Sequence, residues 1–183
     1  MATATALLTA QEYLLLSDIG QPTELVRGKV VTMNVPTPRH GEICATISRL
    51  VGNFVAEAGL GRVVSNDSGV LTEHDPDTVR GADVAFYSYA RVPRGPLPRG
   101  YLPVPPELVF EVRSPTDRWS EVHIKVGEYL NAGVAVVCVL DQQTRTAHLF
   151  EADQPPRALP EDEPLTFPGI LGDFRAPVRQ FFE

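Results

Sequence analysis

The sequence predicts an α/β (α+β) fold in which a central mixed β-sheet is flanked by helices. Three stretches carry that prediction. Residues 108–113 (LVFEVR) alternate in character after two prolines. They are followed by a helical pattern to about Asn131 and then by an unalternating apolar run over 134–140. That succession fits a strand, a crossover helix and a second strand covered on both faces. A long apolar stripe over 40–58 supplies a helix to pack on the sheet. A hairpin pattern over 24–33 adds antiparallel strands.

Taken in order, Thr9 and Glu12 have the spacing of a capping box ahead of Tyr13, Leu14, Leu15 and Leu16, so a short helix opens the chain. Residues 24–26 and 29–33 form the hairpin, with Arg27 and Gly28 at its turn. Thr37 as cap and Pro38 at the first helical position start the long helix, whose stripe is Ile43, Ile47, Leu50, Val51, Phe54 and Val55, and Gly59 ends it. Residues 61–66 and 69–71 are expected as two short strands about a turn. In the strand 81–87, Ala82, Val84 and Phe86 share one face, and Asp83, Ala85 and Tyr87 the other. Residues 91–106 hold six prolines with Arg91, Arg94 and Arg99, too proline-rich for regular structure. In the strand 108–113, Glu111 shares a face with Val109 and Arg113. After Pro115, Thr116 or Asp117 is the expected cap of a helix with the stripe Val122, Val126, Tyr129 and Leu130. Lys125 sits on the margin of that stripe, from where it can snorkel outward or turn inward toward the strand before it. Residues 145–150 pair back on the strand before them. An acidic, proline-rich stretch over 154–164 and a short last helical turn within 170–182 complete the chain.

At 183 residues and 43% hydrophobic, the chain is long enough for a full core and is expected to form a single domain over 1–183. No apolar run reaches membrane-spanning length, and residues 1–10 lack a basic start followed by an apolar block, so a soluble cytoplasmic protein is expected. Cys44 and Cys138 have no CxxC spacing, which argues against a structural zinc site and for core packing. The net charge of −7 is not that of a protein that grips nucleic acid by phosphate neutralisation alone. Such a partner requires a local basic patch, a dimeric groove, or metal ions that offset carboxylates.

The chemistry concentrates in Asp83, Glu111 and Lys125. Two carboxylates in the middles of separate strands can converge across a mixed sheet, and their repulsion then needs a cation. For oxygen-only donors that cation is Mg²⁺ or Mn²⁺, which polarises a phosphoryl oxygen, while a neighbouring lysine orients water or offsets developing charge. Plainer roles stand beside these. Glu111 and Arg113 can form a structural ion pair, Asp83 can cap a loop, and Lys125 can be a surface lysine. His74, His123 and His148 have no His or Cys at metal spacing and are read as surface or loop residues. Ser114 lacks a nucleophile-elbow context. Trp119 is read as packing.

Collectively the residues resemble the PD-(D/E)XK nuclease superfamily, in the branch of small restriction endonuclease-like proteins called the Uma family. The resemblance runs through the opening helix, ELVRGKVVTM, PTPRHGEI, GADVAF, PPELVFEVRSPTDR, KVGEYLNAGV and VLDQQTRTAHLF. It implies a restriction endonuclease-like fold and a metal-dependent endonuclease that hydrolyses nucleic-acid phosphodiesters, DNA in the first instance, as a homodimer. Asp83 and Glu111 would be the metal ligands, and Lys125 a migrated lysine supplied from the helix. Arg113, a further auxiliary candidate, stands two places after the glutamate, where the plainest form has that lysine, and would either substitute for it or serve only as an ion-pair partner. Glu24 and His40 match auxiliary positions. Arg27-Gly28-Lys29 departs from the acidic-Gly-acidic run common in the branch. The rival functions are a non-catalytic interaction or DNA-recognition module on the same fold, and a hydrolase of small phosphoesters.

Overall fold

In the computed structural model, residues 7–16 and 20–183 are described. Helix α1 (Ala10–Leu14) starts at Thr9, whose capping box with Glu12 forms as the spacing predicts. Strands β1 (Thr23–Val26) and β2 (Lys29–Thr32) make the hairpin. Its two turn residues, Arg27 and Gly28, both have positive φ, the twist that a two-residue hairpin turn requires. Thr37 caps α2 (Pro38–Ala58), and Gly59 closes it at φ 63°.

The stretch after α2 departs from expectation. In place of two short strands there is one, β3 (Gly61–Glu73), paired along β4 (Thr78–Ser88). The predicted turn is a bulge. Between the pairs Ser65↔Val84 and Ser68↔Ala82, two residues of β3 oppose one of β4, and those two, Asn66 and Asp67, both have positive φ. The residue opposite them is Asp83. The irregularity also breaks the predicted alternation of β4, because Ala82 packs with Ala85 and Tyr87 rather than with Val84 and Phe86.

Strand β5 (Leu108–Arg113), helix α3 (Trp119–Asn131) and strand β6 (Val136–Asp141) form the predicted crossover, with β5 and β6 parallel. Arg118 occupies the cap position of α3 in place of Thr116 or Asp117. The Asp117 side chain instead accepts from the Ser114 N–H and closes the turn after β5. Strand β7 (Thr146–Glu151) pairs back on β6. The proline-rich tail holds more structure than its composition suggested: β8 (Arg157–Leu159) pairs with β7, a ribbon of β9 (Pro164–Thr166) and β10 (Arg175–Pro177) surrounds α4 (Pro168–Leu171), and a 3₁₀ turn spans Val178–Phe182.

The main sheet runs β2-β1-β4-β5-β6-β7-β8, with β3 on the other edge of β4. On one face, Ile43, Ile47, Val51 and Val55 of α2 pack with Val84, Phe86, Phe110 and the tail aromatics Phe167, Phe174 and Phe181. On the other, Val126 and Tyr129 of α3 pack on Ala85, Val109, Val137 and Val139. Such a mixed sheet with a helical layer on each face is the architecture the sequence predicts. Among the described residues no helix is long and apolar enough to cross a membrane.

One topological detail positions everything functional. Val79 of β4 pairs with β3 on one edge and with Leu25 of β1 on the other, while Ala85 pairs with β3 and with Val109 of β5. Strands β1 and β5 therefore lie along the same edge of β4 at different heights. Between them, over residues 80–83, the ladder is forked, and backbone groups there need other partners.

Candidate functional site

Side chains supply those partners at the fork. The Gly81 N–H donates to Glu24 Oε1 at 3.0 Å, and the Gly81 carbonyl accepts from Lys125 Nζ at 2.7 Å. On the facing strand, the Val112 N–H donates to Asp83 Oδ2 at 2.6 Å. Lys125 has turned inward from the stripe margin. Its ammonium also bonds Glu111 Oε2 at 2.9 Å and forms an ion pair with Glu24 Oε1 at 3.3 Å. Tyr129, one turn along α3, donates to Glu111 Oε1 at 2.9 Å.

A second ring holds the first. Arg80 donates to Glu24 at 2.7 Å and, through Nε and Nη2, to Glu128 at 2.5 and 2.9 Å. On the α2 side, His40 Nε2 is 3.1 Å from Asp83 Oδ1. Asp67 projects from the bulge beside Asp83, backed by Gly81, where a Cβ would stand 3.0 Å from Asp67 Cβ. Glycine at 81 thus leaves the space that the bulge occupies. A pocket of about 120 Å³ opens onto this cluster and is lined by Glu24, His40, Asp67, Gly81 and Lys125 among others.

The electrostatics follow from crowding. The hydrogen bond to Asp83, then one to Cys44, raises the His40 pKa to about 10, so the imidazole is cationic at neutral pH. Burial works against ionisation of Asp83, yet its hydrogen bond to His40 and the charge of Lys125 hold its pKa below the usual value. Burial raises Glu111 to about 8, with the charge of Asp83 adding to the rise and Lys125 and Tyr129 opposing it. Desolvation in the pocket and then the charge of Asp83 raise Asp67. Burial opposes the charge on Lys125, but Glu111, Glu24 and Asp83 overcome it and hold the ammonium charged. With Arg80 and Glu128 cancelling, Glu24, Asp67, Asp83 and Glu111 face, among the described residues, the cations Lys125 and His40. Fully ionised, the cluster carries a surplus of two negative charges.

That surplus and the oxygen-only set of Asp83 and Glu111 fit a hard divalent cation such as Mg²⁺ or Mn²⁺.

The structure thus brings together Asp83, Glu111, Lys125, Glu24 and His40. Arg113 is not among them. Its guanidinium bonds Asp141 Oδ2 at 3.0 Å and the Asp117 carbonyl at 2.9 Å and lies over the Trp119 ring, so of the two readings open for Glu111 the pairing with Arg113 does not form, and the pairs are Lys125–Glu111 and Arg113–Asp141. Sequence reasoning missed Asp67, Arg80, Glu128 and Tyr129. The spacing of Lys125, Glu128 and Tyr129 placed them within reach of one another on a helix, but nothing local marked the bulge. Arg91 bonds the Pro105 carbonyl at the far end of its own loop and the Gly133 carbonyl after α3, and Arg94 bonds the Gly59 carbonyl and covers the Tyr89 ring at 3.9 Å, so they anchor the loop. His148, read as a surface residue, is half-buried between Thr146 and Trp119, whereas His74 is an exposed loop residue as expected.

The family model of Uma2, described as "Putative restriction endonuclease", matches residues 10–179. No curated protein matches the chain. Among solved structures, one described as a "putative nuclease belonging to DUF820" from Anabaena variabilis superposes with a TM-score of 0.83 at 18% identity, covering 96% of this chain and 97% of that one. At that identity the likeness speaks for the fold.

Proposed function

Since the chain belongs to the Uma2 family, a family of restriction endonuclease-like proteins, we propose that it is a metal-dependent endonuclease that hydrolyses phosphodiester bonds in nucleic acid, DNA in the first instance. The observation that carries this reading is the meeting of Asp83, Glu111 and Lys125 at the fork between β1 and β5. Asp83 and Glu111 are the residues that would hold Mg²⁺ or Mn²⁺. Bound there, the ion supplies Lewis-acid polarisation of the phosphoryl group and a more acidic water.

The chain's own residues do the rest. The Val112 N–H and His40 fix both oxygens of Asp83, so its orientation is set before substrate arrives. Tyr129 and Lys125 do the same for Glu111. Of the three Lys125 contacts, the one to Glu24 is longest, at 3.3 Å, and is the one a water or phosphoryl oxygen can replace. Lys125 is then a donor beside the reacting phosphate, held by the Gly81 carbonyl and Glu111. Glu24 and His40 are positioning residues. A dication held by these carboxylates would reconcile an acidic protein with a polyanionic substrate, because its charge makes the pocket hospitable to phosphate.

We further propose that residues 1–183 act as one restriction endonuclease-like domain in the cytoplasm and that the chain works as a homodimer. Val30, Val31, Met33 and Val35, exposed on and just after edge strand β2, support the dimer.

The test is plasmid cleavage in Mg²⁺ or Mn²⁺. Glu111→Gln and Lys125→Ala should each slow cleavage about a hundredfold or more. Activity surviving both would reject the assignment. Calorimetric titration of Mn²⁺ into the wild type that finds no saturable site would favour the non-catalytic module instead.

A further inference from the structure

His40 and Cys44 lie one turn apart on α2 and therefore project from the same face of the helix. That face meets β4 at Asp83. One ligand atom each from His40, Cys44 and Asp83 lies within 4.8 Å of the others, and the imidazole Nε2 is already 3.1 Å from Asp83 Oδ1. A tetrahedral centre with metal–nitrogen and metal–sulfur bonds of about 2.0 and 2.3 Å sets its ligands about 3.3–3.5 Å apart, so small side-chain rotations close the set. Asp83 is buried and His40 and Cys44 are half-buried, with His40 lining the pocket that gives access from solvent. The pocket is open enough for a water to take the fourth position. The second cysteine, Cys138, is fully buried in the apolar core on β6 and has no such company.

We propose that His40, Cys44 and Asp83 form a binding site for a borderline-soft divalent ion, Zn²⁺ or Co²⁺, distinct in chemistry from the oxygen-only pair of Asp83 and Glu111. One nitrogen, one sulfur and one oxygen donor suit Zn²⁺ and disfavour Mg²⁺, which seeks oxygens alone. Binding forms bonds from the metal to Nε2, Sγ and a carboxylate oxygen. The protons displaced from the Cys44 thiol and the His40 ring pass to solvent. Asp83 belongs to both sets, so an ion on the His-Cys-Asp face withdraws it from the hard-ion site. That consequence rests on the proposed nuclease reading, whereas the binding itself does not.

The experiment titrates Co²⁺ into the full chain in the presence of a large excess of Mg²⁺ and records the absorption spectrum. The wild type should develop the thiolate-to-cobalt charge-transfer band together with the strong visible bands of a tetrahedral ion, saturating at stoichiometric Co²⁺. Cys44→Ser should lose the charge-transfer band. A second measurement needs no variant: alkylation of Cys44, followed by peptide mass, should slow about tenfold in stoichiometric Zn²⁺ and not in excess Mg²⁺. A wild type without the band, a band that persists in Cys44→Ser, or alkylation indifferent to Zn²⁺ would overturn the proposal. Neither readout involves nucleic acid, so a chain that fails to cut DNA can still pass both.

Discussion

Strand β6 pairs with a neighbour at six register positions on each side, and its side chains from Val136 to Leu140 are all apolar. Strand β4 shares only one position with β1 and three with β5, and between them it carries Arg80 and Asp83. In the first region backbone satisfies backbone, and burial is all the side chains have to contribute. In the second, Glu24, Lys125 and Asp83 substitute for missing strands, so charges sit in the interior because the ladder is open there. An interrupted sheet thus makes a polar cavity in which side chains take up the Gly81 and Val112 backbone groups, but each charge then depends on keeping its partner.

The largest effect expected from breaking this contrast is at Lys125. Lys125→Met fills similar volume yet leaves Glu24 and Glu111 facing each other without the ammonium, which should cost about 3–5 kcal/mol in urea unfolding. The loss should grow as pH rises through about 8, where Glu111 ionises. Leu140→Ala, fully buried in the continuous half, should cost about 3 kcal/mol through the cavity alone. Its loss should be the same at pH 6 and pH 9. Equal pH dependence in the two variants would erase the distinction between the halves.

The sequence made the continuous half legible because its cues are local. Alternation in 108–113, the unbroken run after Gly133 and the periodicity of Val126 and Tyr129 each follow from neighbours in the chain. The capping roles of Thr9, Thr37 and Gly59 came out for the same reason. At the fork the cues are mixed. Asp83, Glu111 and Lys125 stood out because charge appeared where apolar residues would serve, and Glu24 and His40 entered through a family resemblance. The bulge carrying Asp67 reads as a turn in the sequence, since Asn66-Asp67-Ser68-Gly69 has turn composition and only pairing with β4 carries the strand through it. Arg113 misled for the complementary reason. Its spacing from Glu111 is that of a same-face pair, but the parallel register of β5 and β6 sets it opposite Asp141.

A smaller perturbation probes the bulge directly. In Gly81→Ala the new Cβ would lie 3.0 Å from Asp67 Cβ and 3.2 Å from the Asp67 carbonyl oxygen, so the bulge must shift by a few tenths of an ångström. The expected cost is about 2 kcal/mol in stability. Weaker Mn²⁺ binding should accompany it, because Asp67 and Asp83 move relative to each other. A variant as stable as wild type with undiminished Mn²⁺ affinity would mean that the close approach of Gly81 and Asp67 has no bearing on the site.

The smallest expected effect concerns His40, and its sign is fixed by linkage. The folded-state pKa of His40 is raised from 6.5 to about 10, so its pairing with Asp83 contributes in full below about pH 6.5 and fades as pH climbs through 10. Asp83 is the converse case: its lowered pKa contributes above its ordinary 3.8 and is lost as pH falls below that range. Both limbs depend on the same 3.1 Å contact. His40→Gln keeps a side-chain amide able to donate to Asp83 but not the positive charge, so about 1.5 kcal/mol should disappear near neutral pH. The alkaline limb of a plot of Tm against pH should flatten between 6.5 and 10, and the acid limb should move upward as Asp83 loses its cation. If the flattening appears without the acid shift, Lys125 rather than His40 sets the charge state of Asp83, and the α2 side of the fork serves to orient that carboxylate.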